Sequence, residues 1–498
     1  MLMALFSVKK PGSMTMRNSV ASVTIAAMLL ASCGGGGGGG SAAPVSVAPT
    51  PTPTPTPASA GCSLVQRQTF ARDVINEWYL FPAEVATATN PASFNNIDDY
   101  IDALVAPARA SGKDRFFTYI TSIAEENAFF SSGASAGFGV RLSYNSSARR
   151  LFIAEAYEGA PALAAGIDRG TEIVAIGTNA SNLRTIGDIV AAEGSAGINT
   201  ALGSNTAGLT RVLRINNGGG NIDVTVTKAD FSIDPISDRY GATIIEDGGR
   251  RYGYLNLRTF ISSADAQLRT AFQNFRDQGI TELIIDFRYN GGGLVSTAEL
   301  MGDLMGRNRF TTEIFSRTDF RPEKASNNEI DFFAPQSQSV APTRIAFIGT
   351  GSTASASEFV INGMLPYLGS NMALVGSDTF GKPVGQIALD RAACDDRMRV
   401  VAFSTGNAAG TGDYFNGLAS KVQQTCAAAD SVSFPLGDAR ETSIRAAIDF
   451  LAGRSCTAIA GASVGAQSAN QRSAGDGSMV PLVPATPSAA QREIPGLF

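Results

Sequence analysis

The 498-residue sequence contains no histidine. That absence excludes a Ser–His–Asp triad, a Cys–His pair and any histidine-ligated metal site. A general base in this chain must be Lys, Asp, Glu, Tyr or a terminus. A basic excess is also missing: 39 Lys and Arg stand against 44 Asp and Glu, for a net charge of −5. Such a balance does not hold a polyanion, so nucleic acid is excluded as an expected partner. Charged residues are sparse at 17%, and apolar residues make up 44%, a globular composition for a length that implies more than one domain.

Long apolar runs are scarce as well. The one near the start, Val20–Leu30, is too short for an ordinary membrane span. It follows Lys9, Lys10 and Arg17 and precedes Ala31-Ser32-Cys33, the grammar of a secretory signal. Leu30-Ala31-Ser32-Cys33 resembles the lipobox of bacterial lipoproteins. That resemblance implies lipidation of Cys33 and anchoring on the periplasmic side of a membrane, with Gly34 favouring the outer one. Seven glycines and Pro-Thr repeats through residue 61 read as a spacer. Apart from Cys33, four cysteines remain, Cys62, Cys394, Cys426 and Cys456. An even number in an exported chain points to two disulfides. Of the three pairings, the one expected joins Cys394 to Cys426 and Cys62 to Cys456.

Residues 62–131 carry helical spacing (Leu64, Phe70, Val74, Trp78; Tyr100, Ile101, Leu104) and read as a helical cap. Residues 132–230 turn to short β-like runs from Gly137-Phe138-Gly139-Val140 onward. Residues 231–456 alternate strands and helices, the grammar of a largely parallel sheet covered by helices. Residues 457–498, rich in Ser, Ala, Gly, Gln and Pro, read as a disordered tail.

Three segments of the α/β part bear chemistry. Thr353-Ala354-Ser355-Ala356-Ser357-Glu358 lies between a strand and a helix, where a turn exposes a nucleophile and free amides can meet an oxyanion; a Ser-capped turn is the alternative. Asp286-Phe287-Arg288-Tyr289-Asn290-Gly291-Gly292-Gly293 ends a buried strand, and its glycines allow close backbone approach. Phe380-Gly381-Lys382 offers a lysine that burial would make a neutral base. Gly376 to Lys382 also spells most of a phosphate-binding loop, but Pro383 stands where the magnesium-binding Ser or Thr belongs.

Taken in this order, the three segments resemble those of the carboxyl-terminal processing (tail-specific) peptidases. The resemblance spans roughly residues 62–456. It implies an α/β fold with a crotonase-like core, Ser355 as nucleophile, Lys382 as base and Gln386 orienting the lysine. The amides of Ala356 and of one glycine among Gly291–Gly293, with Gly292 the expectation, would hold the oxyanion. Thr353 departs from the family's leading serine. The β-rich part resembles that family's PDZ domain, with Gly137, Phe138, Gly139 and Val140 as the expected peptide-binding loop; Gly170-Thr171 departs from the usual Gly-Asp. The implied partners are protein or peptide substrates with free C-termini, with neither metal nor organic cofactor required. A noncatalytic peptide-binding protein and an acyl hydrolase with the same dyad are the competing readings.

Overall fold

The computed structural model describes residues 61–460 and 479–498. Cys33, the glycine and Pro-Thr spacer up to residue 60 and the stretch 461–478 lie outside the described residues.

The central sheet has six strands in the order Ala242–Asp247, Arg250–Asn256, Glu282–Asp286, Arg344–Gly349, Met372–Gly376 and Gln424–Ala427. The first pair is antiparallel and all later pairs are parallel. Parallel strands need crossovers; helices lie in the connections from Arg250–Asn256 through Met372–Gly376, whereas the last connection, to Gln424–Ala427, runs through the β-hairpin Val384–Gly406. Alternation sends Leu283, Ile285, Ile345, Phe347 and Leu374 to one face, under the helices Ala264–Asp277, Val295–Leu304 and Ala356–Leu368. Ile284, Ala346, Ile348, Ala373 and Val375 go to the other face, against the helix Thr442–Leu451. Burial on both faces explains why these strands read as continuous apolar runs.

This sheet places two of the candidate segments side by side. Asp286 pairs with Ile348 in register, so the glycine-rich turn after Glu282–Asp286 and the serine turn after Arg344–Gly349 leave the same edge at neighbouring positions. Loops at the carboxyl ends of parallel strands are where α/β sheets bind ligands.

A second sheet carries the lysine. Its centre is the hairpin Val384–Arg391 with Asp396–Gly406, flanked by Ile314–Phe320, Glu329–Phe332 and Tyr119–Ser122. The N-terminal helices Leu64–Trp78 and Ile97–Leu104 bury Val74, Ile75, Tyr100, Ile101 and Leu104 against Val384, Met398, Val400 and Val401 of that hairpin. The region expected as a cap is thus built into the core and even supplies a strand.

Residues 134–232 form a β-rich module: Val140–Asn145, Arg150–Ala156, Glu172–Gly177, Thr210–Asn216 and Asn221–Thr227 pair antiparallel, with the helix Ile186–Glu193 packed on them.

Two expectations are corrected. The disulfides are Cys62–Cys394 and Cys426–Cys456. Cys62 precedes the helix lying on the hairpin whose turn holds Cys394, and Cys426 lies on the edge strand beside the segment that carries Cys456. Packing, not loop length, brings the partners together. The tail is ordered over residues 479–498: Met479–Pro481 adds an antiparallel strand to Val140–Asn145, and Ala489–Glu493 is a short helix. Residues 479–498 are largely apolar, and Leu482, Ile494, Leu497 and Phe498 are buried.

Candidate active site

Ser355 sits at the entry to the helix Ala356–Leu368 with φ 53° and ψ −115°, a conformation that suits the first inner position of a II′ turn and that non-glycine residues rarely adopt. The strain turns its side chain outward. Among residues 352–358 only Ser355 keeps appreciable exposure, whereas Ser352 and Ser357 are buried. The Ser357 hydroxyl donates to the Asn290 carbonyl at 3.1 Å, so it is committed to structure. Thr353 uses its hydroxyl as a tie as well, donating to the Phe287 carbonyl at 2.7 Å and accepting from the Thr350 amide at 2.9 Å. A serine-to-threonine change there keeps the group that matters.

The glycine-rich turn lies against Ser355. A Cβ on Gly292 would stand 2.7 Å from the Ser355 Cβ and 3.1 Å from the Ala356 nitrogen, with φ already at 124°, so only glycine fits. The Gly292 amide donates to Asn290 Oδ1 at 2.9 Å. The neighbouring Gly291 amide donates instead to a peptide carbonyl, that of Glu493, at 2.9 Å. Asn290 is itself fixed by donation from Nδ2 to the Leu257 carbonyl at 2.8 Å.

Lys382 is drawn to the same place by Glu358. That carboxylate, fully buried, accepts from the Ser355 and Lys382 amides on one oxygen, at 3.1 and 2.7 Å. Its other oxygen accepts from the Gly381 amide and the Thr379 hydroxyl at 2.6 and 2.5 Å. One side chain therefore ties the serine turn to the lysine loop. Burial pushes the Glu358 carboxyl up to about 7, although the Thr379 hydroxyl, the Lys382 and Gly381 amides and Arg115 favour its charged form. Sequence reading assigned Glu358 no role; the signal available was the Ser-x-x-Glu spacing of a capping box.

The lysine amine donates to Gln386 Oε1 at 2.8 Å and lies 4.9 Å from the centre of the Phe117 ring. Burial lowers the Lys382 pKa. Glu493 and Asp114 oppose that shift, while Arg399 and Arg492 add to it. Gln386 Nε2 donates to the Phe117 carbonyl, and the Phe117 amide donates to Asp114 Oδ1 at 2.8 Å, with Tyr79 donating to the other oxygen at 2.9 Å. Arg115 stacks on the Phe380 ring at 4.2 Å and donates to the carbonyls of Phe380, Gly381 and Phe415. These N-terminal residues form the floor of the lysine site, a role absent from any sequence motif. The loop Ser377–Pro383 leads into the strand Val384–Arg391, so no helix follows to hold a phosphate. Among the described residues no group of three or more His, Cys, Asp or Glu is placed to hold a metal ion.

Chemically, a part-exposed serine, a lysine whose pKa burial lowers and a glycine-rich turn packed against the serine are the kinds of group that acyl transfer uses. Residues 251–402 match the model of Peptidase family S41. That segment is similar to the S41 peptidases. The C-terminal processing peptidase of Tetradesmus obliquus is 27% identical over 279 residues, covering 52% of this chain and 53% of that protein. The carboxyl-terminal-processing protease of Picosynechococcus sp. is 27% identical over 251 residues, covering 50% and 55%. The carboxy-terminal processing protease CtpA of Bacillus subtilis is 24% identical over 296 residues, covering 58% and 57%. The chain thus spans about half the length of the curated relatives it matches. A crystal structure described as an S41 protease from Bacteroides fragilis shares the fold, with a TM-score of 0.61 at 23% identity over 77% of this chain and 97% of that one. The S41 match and these homologues support a serine peptidase.

In the β-rich module the expected loop is in contact with the last residue of the tail. Phe138 and Val140 are buried, and the amides of Gly139 and Val140 both donate to the oxygen of Phe498, at 2.8 and 3.0 Å.

Proposed function

We propose that the protein is a serine endopeptidase that cleaves peptide bonds in or near the C-terminal tails of exported proteins. Ser355 attacks the scissile carbonyl and Lys382, neutral when it acts, takes the proton and returns it to the leaving amine. Gln386 orients the lysine. The Ala356 amide and one from the glycine turn hold the oxyanion. The Gly292 amide is engaged by Asn290 and the Gly291 amide by the Glu493 carbonyl, so whichever of them acts must first lose that partner. The observation that carries the reading is the shared Glu358 oxygen, which holds Ser355 and Lys382 together while Gln386 holds the amine. The β-rich module acts as a PDZ-like receptor for the substrate tail through residues 137–140. Lipidation of Cys33 and a periplasmic location remain proposals that rest on the lipobox and the basic flank before it.

A fluorophosphonate probe should label Ser355 in the wild type and not in Ser355→Ala. An unfolded protein should be cut by the wild type alone. Labelling with hydrolysis of small esters only would replace the endopeptidase reading by the acyl hydrolase, and no labelling would leave a peptide-binding protein.

A further inference from the structure

The segment Met479–Phe498 lies along the whole route that a substrate tail would take. At the module, Met479–Pro481 pairs with residues 143–145 of the strand Val140–Asn145. The rest of that edge is taken by the last residues of the sequence: the Leu142 amide donates to the Gly496 carbonyl at 2.8 Å, the Phe498 amide donates to the Val140 carbonyl at 2.8 Å, and the Phe498 oxygen receives the Gly139 and Val140 amides. Such pairing is the β-strand addition by which sheets receive peptides. The Phe498 ring is 3% exposed and packs in the module's own core with Phe138, Val140 and Leu202. A Cβ on Gly137 would stand 2.6 Å from the Phe498 carbonyl carbon, so the absence of a side chain makes the room.

Moving back along the tail, Arg141 donates to the Pro495 carbonyl at 2.7 Å and Gln491 Nε2 to the Leu497 carbonyl at 2.8 Å. At the reaction centre the Glu493 carbonyl takes the Gly291 amide, and the Glu493 carboxylate is the strongest acidic influence on Lys382. Arg492 lies 3.7 Å over the Tyr119 ring.

We propose that Met479–Phe498 is an intramolecular inhibitor: it occupies the peptide-binding edge of the β-rich module and the Gly291 amide at once, and it must leave before a substrate tail ending in a large apolar residue can bind. The contacts at the reaction centre are unproductive ones. Glu493 belongs to the short helix Ala489–Glu493, whereas β-strand addition at the module requires an extended chain. The charge of the Glu493 carboxylate favours the protonated amine of Lys382, the form that cannot act as base. The two footholds reinforce each other, since release of one leaves the other to hold the segment alone. The inference rests on the peptidase reading for what is inhibited, but not for the docking.

The test uses the full chain with two variants. Phe498→Asp places a charge in the apolar pocket and undoes the module foothold, while Glu493→Ala removes the carboxylate whose charge acts on the lysine and leaves the module foothold in place. Labelling of Ser355 by a fluorophosphonate should accelerate roughly tenfold or more in Phe498→Asp and severalfold in Glu493→Ala, as for release of an occluded state. Amide-exchange protection of residues 491–498 should be lost in the first variant. The synthetic peptide Ile-Pro-Gly-Leu-Phe, the sequence of residues 494–498, should bind the first variant more tightly than the wild type. Equal labelling rates in all three proteins overturn the inhibitor. So does a wild-type tail that exchanges as fast as that of Phe498→Asp. Should Phe498→Asp fail to fold, Glu493→Ala decides by its labelling rate. If no form is labelled while the exchange and peptide results hold, the docking stands and the peptidase reading fails.

Discussion

At the scale of single residues the base is the most exacting element. Its amine sits among Glu493 and Asp114, which favour the charged form, and Arg399 and Arg492, which with burial favour the neutral one. The net direction is downward, so the rate should rise with pH through a midpoint below the ordinary lysine value of about 10.4. Glu493→Gln removes the largest opposing charge and should move that midpoint lower still; a pH–rate profile that stays in place would mean the carboxylate does not act on the lysine. Lys382→Arg should be inactive, because a guanidinium keeps its proton. Ser357→Ala should retain most activity at a stability cost of about 1 kcal/mol, the loss of one buried hydrogen bond to the Asn290 carbonyl. Kinetics of Ser357→Ala and Ser355→Ala side by side check the choice between the two serines. By residue type alone Ala-Ser-Ala-Ser offers both, and it was the family resemblance that pointed to Ser355; in the structure the positive φ of Ser355 and the burial of Ser357 set the two apart.

At the scale of elements, Glu358 couples two loops that lie on different sheets. Its folded-state pKa of about 7 lies above the unfolded carboxyl value, so the folded protein holds a proton that the unfolded chain releases first. Stability from this group is full below the unfolded value near 4.3 and is lost as pH rises through about 7. Thermal unfolding of the wild type should therefore lose stability over that window. Glu358→Gln, which cannot titrate, should flatten the slope. Because its amide nitrogen would face donors already aimed at an acceptor, it should also lose stability at every pH and much of its activity. An unchanged slope would show that Glu358 is already ionised in the fold. The central strands and helices were legible in the sequence because double burial leaves continuous apolar runs, as in Glu282–Asp286 and Arg344–Gly349, with helices between them. The strand Tyr119–Ser122 and the hairpin Val384–Gly406 were not. Their partners lie far away along the chain, and pairing of Tyr119 with Arg399 leaves no local pattern. The same separation hid the roles of Asp114, Arg115 and Phe117, whose contributions to the lysine site pass through backbone amides and carbonyls.

Across the whole molecule the site is assembled from parts that other contacts must hold in place. Buried arginines fasten the β-rich module to the core. Arg258 pairs with Glu155 at 2.6 Å, and Arg169 donates to the Phe434 and Ser431 carbonyls at 2.9 and 2.6 Å. Arg288, fully buried, joins Asp286 to Glu441 beneath the glycine-rich turn. Charges so placed depend on their partners, since removing one leaves the other unpaired away from water. At the N-terminal side, Cys62–Cys394 anchors the start of the helix Leu64–Trp78 to the turn of the hairpin that carries Gln386 at its other end. Cys426–Cys456 instead closes a local loop at the edge of the central sheet. The two bridges should therefore fail differently. Paired Cys62→Ser and Cys394→Ser changes should cost about 2–4 kcal/mol, as for a native bridge, and loosen the floor beneath Lys382, reducing activity before the central sheet unfolds. Paired Cys426→Ser and Cys456→Ser changes should cost stability by a similar mechanism but leave turnover of the folded enzyme near wild type, because among the described residues that edge makes no hydrogen bond to Ser355 or Lys382. Mass mapping of the unreduced protein fixes the pairing first, and denaturant unfolding followed in parallel with activity then separates the two cases. Equal losses of turnover from the two pairs of substitutions would show that the floor of the lysine site does not depend on its covalent tie.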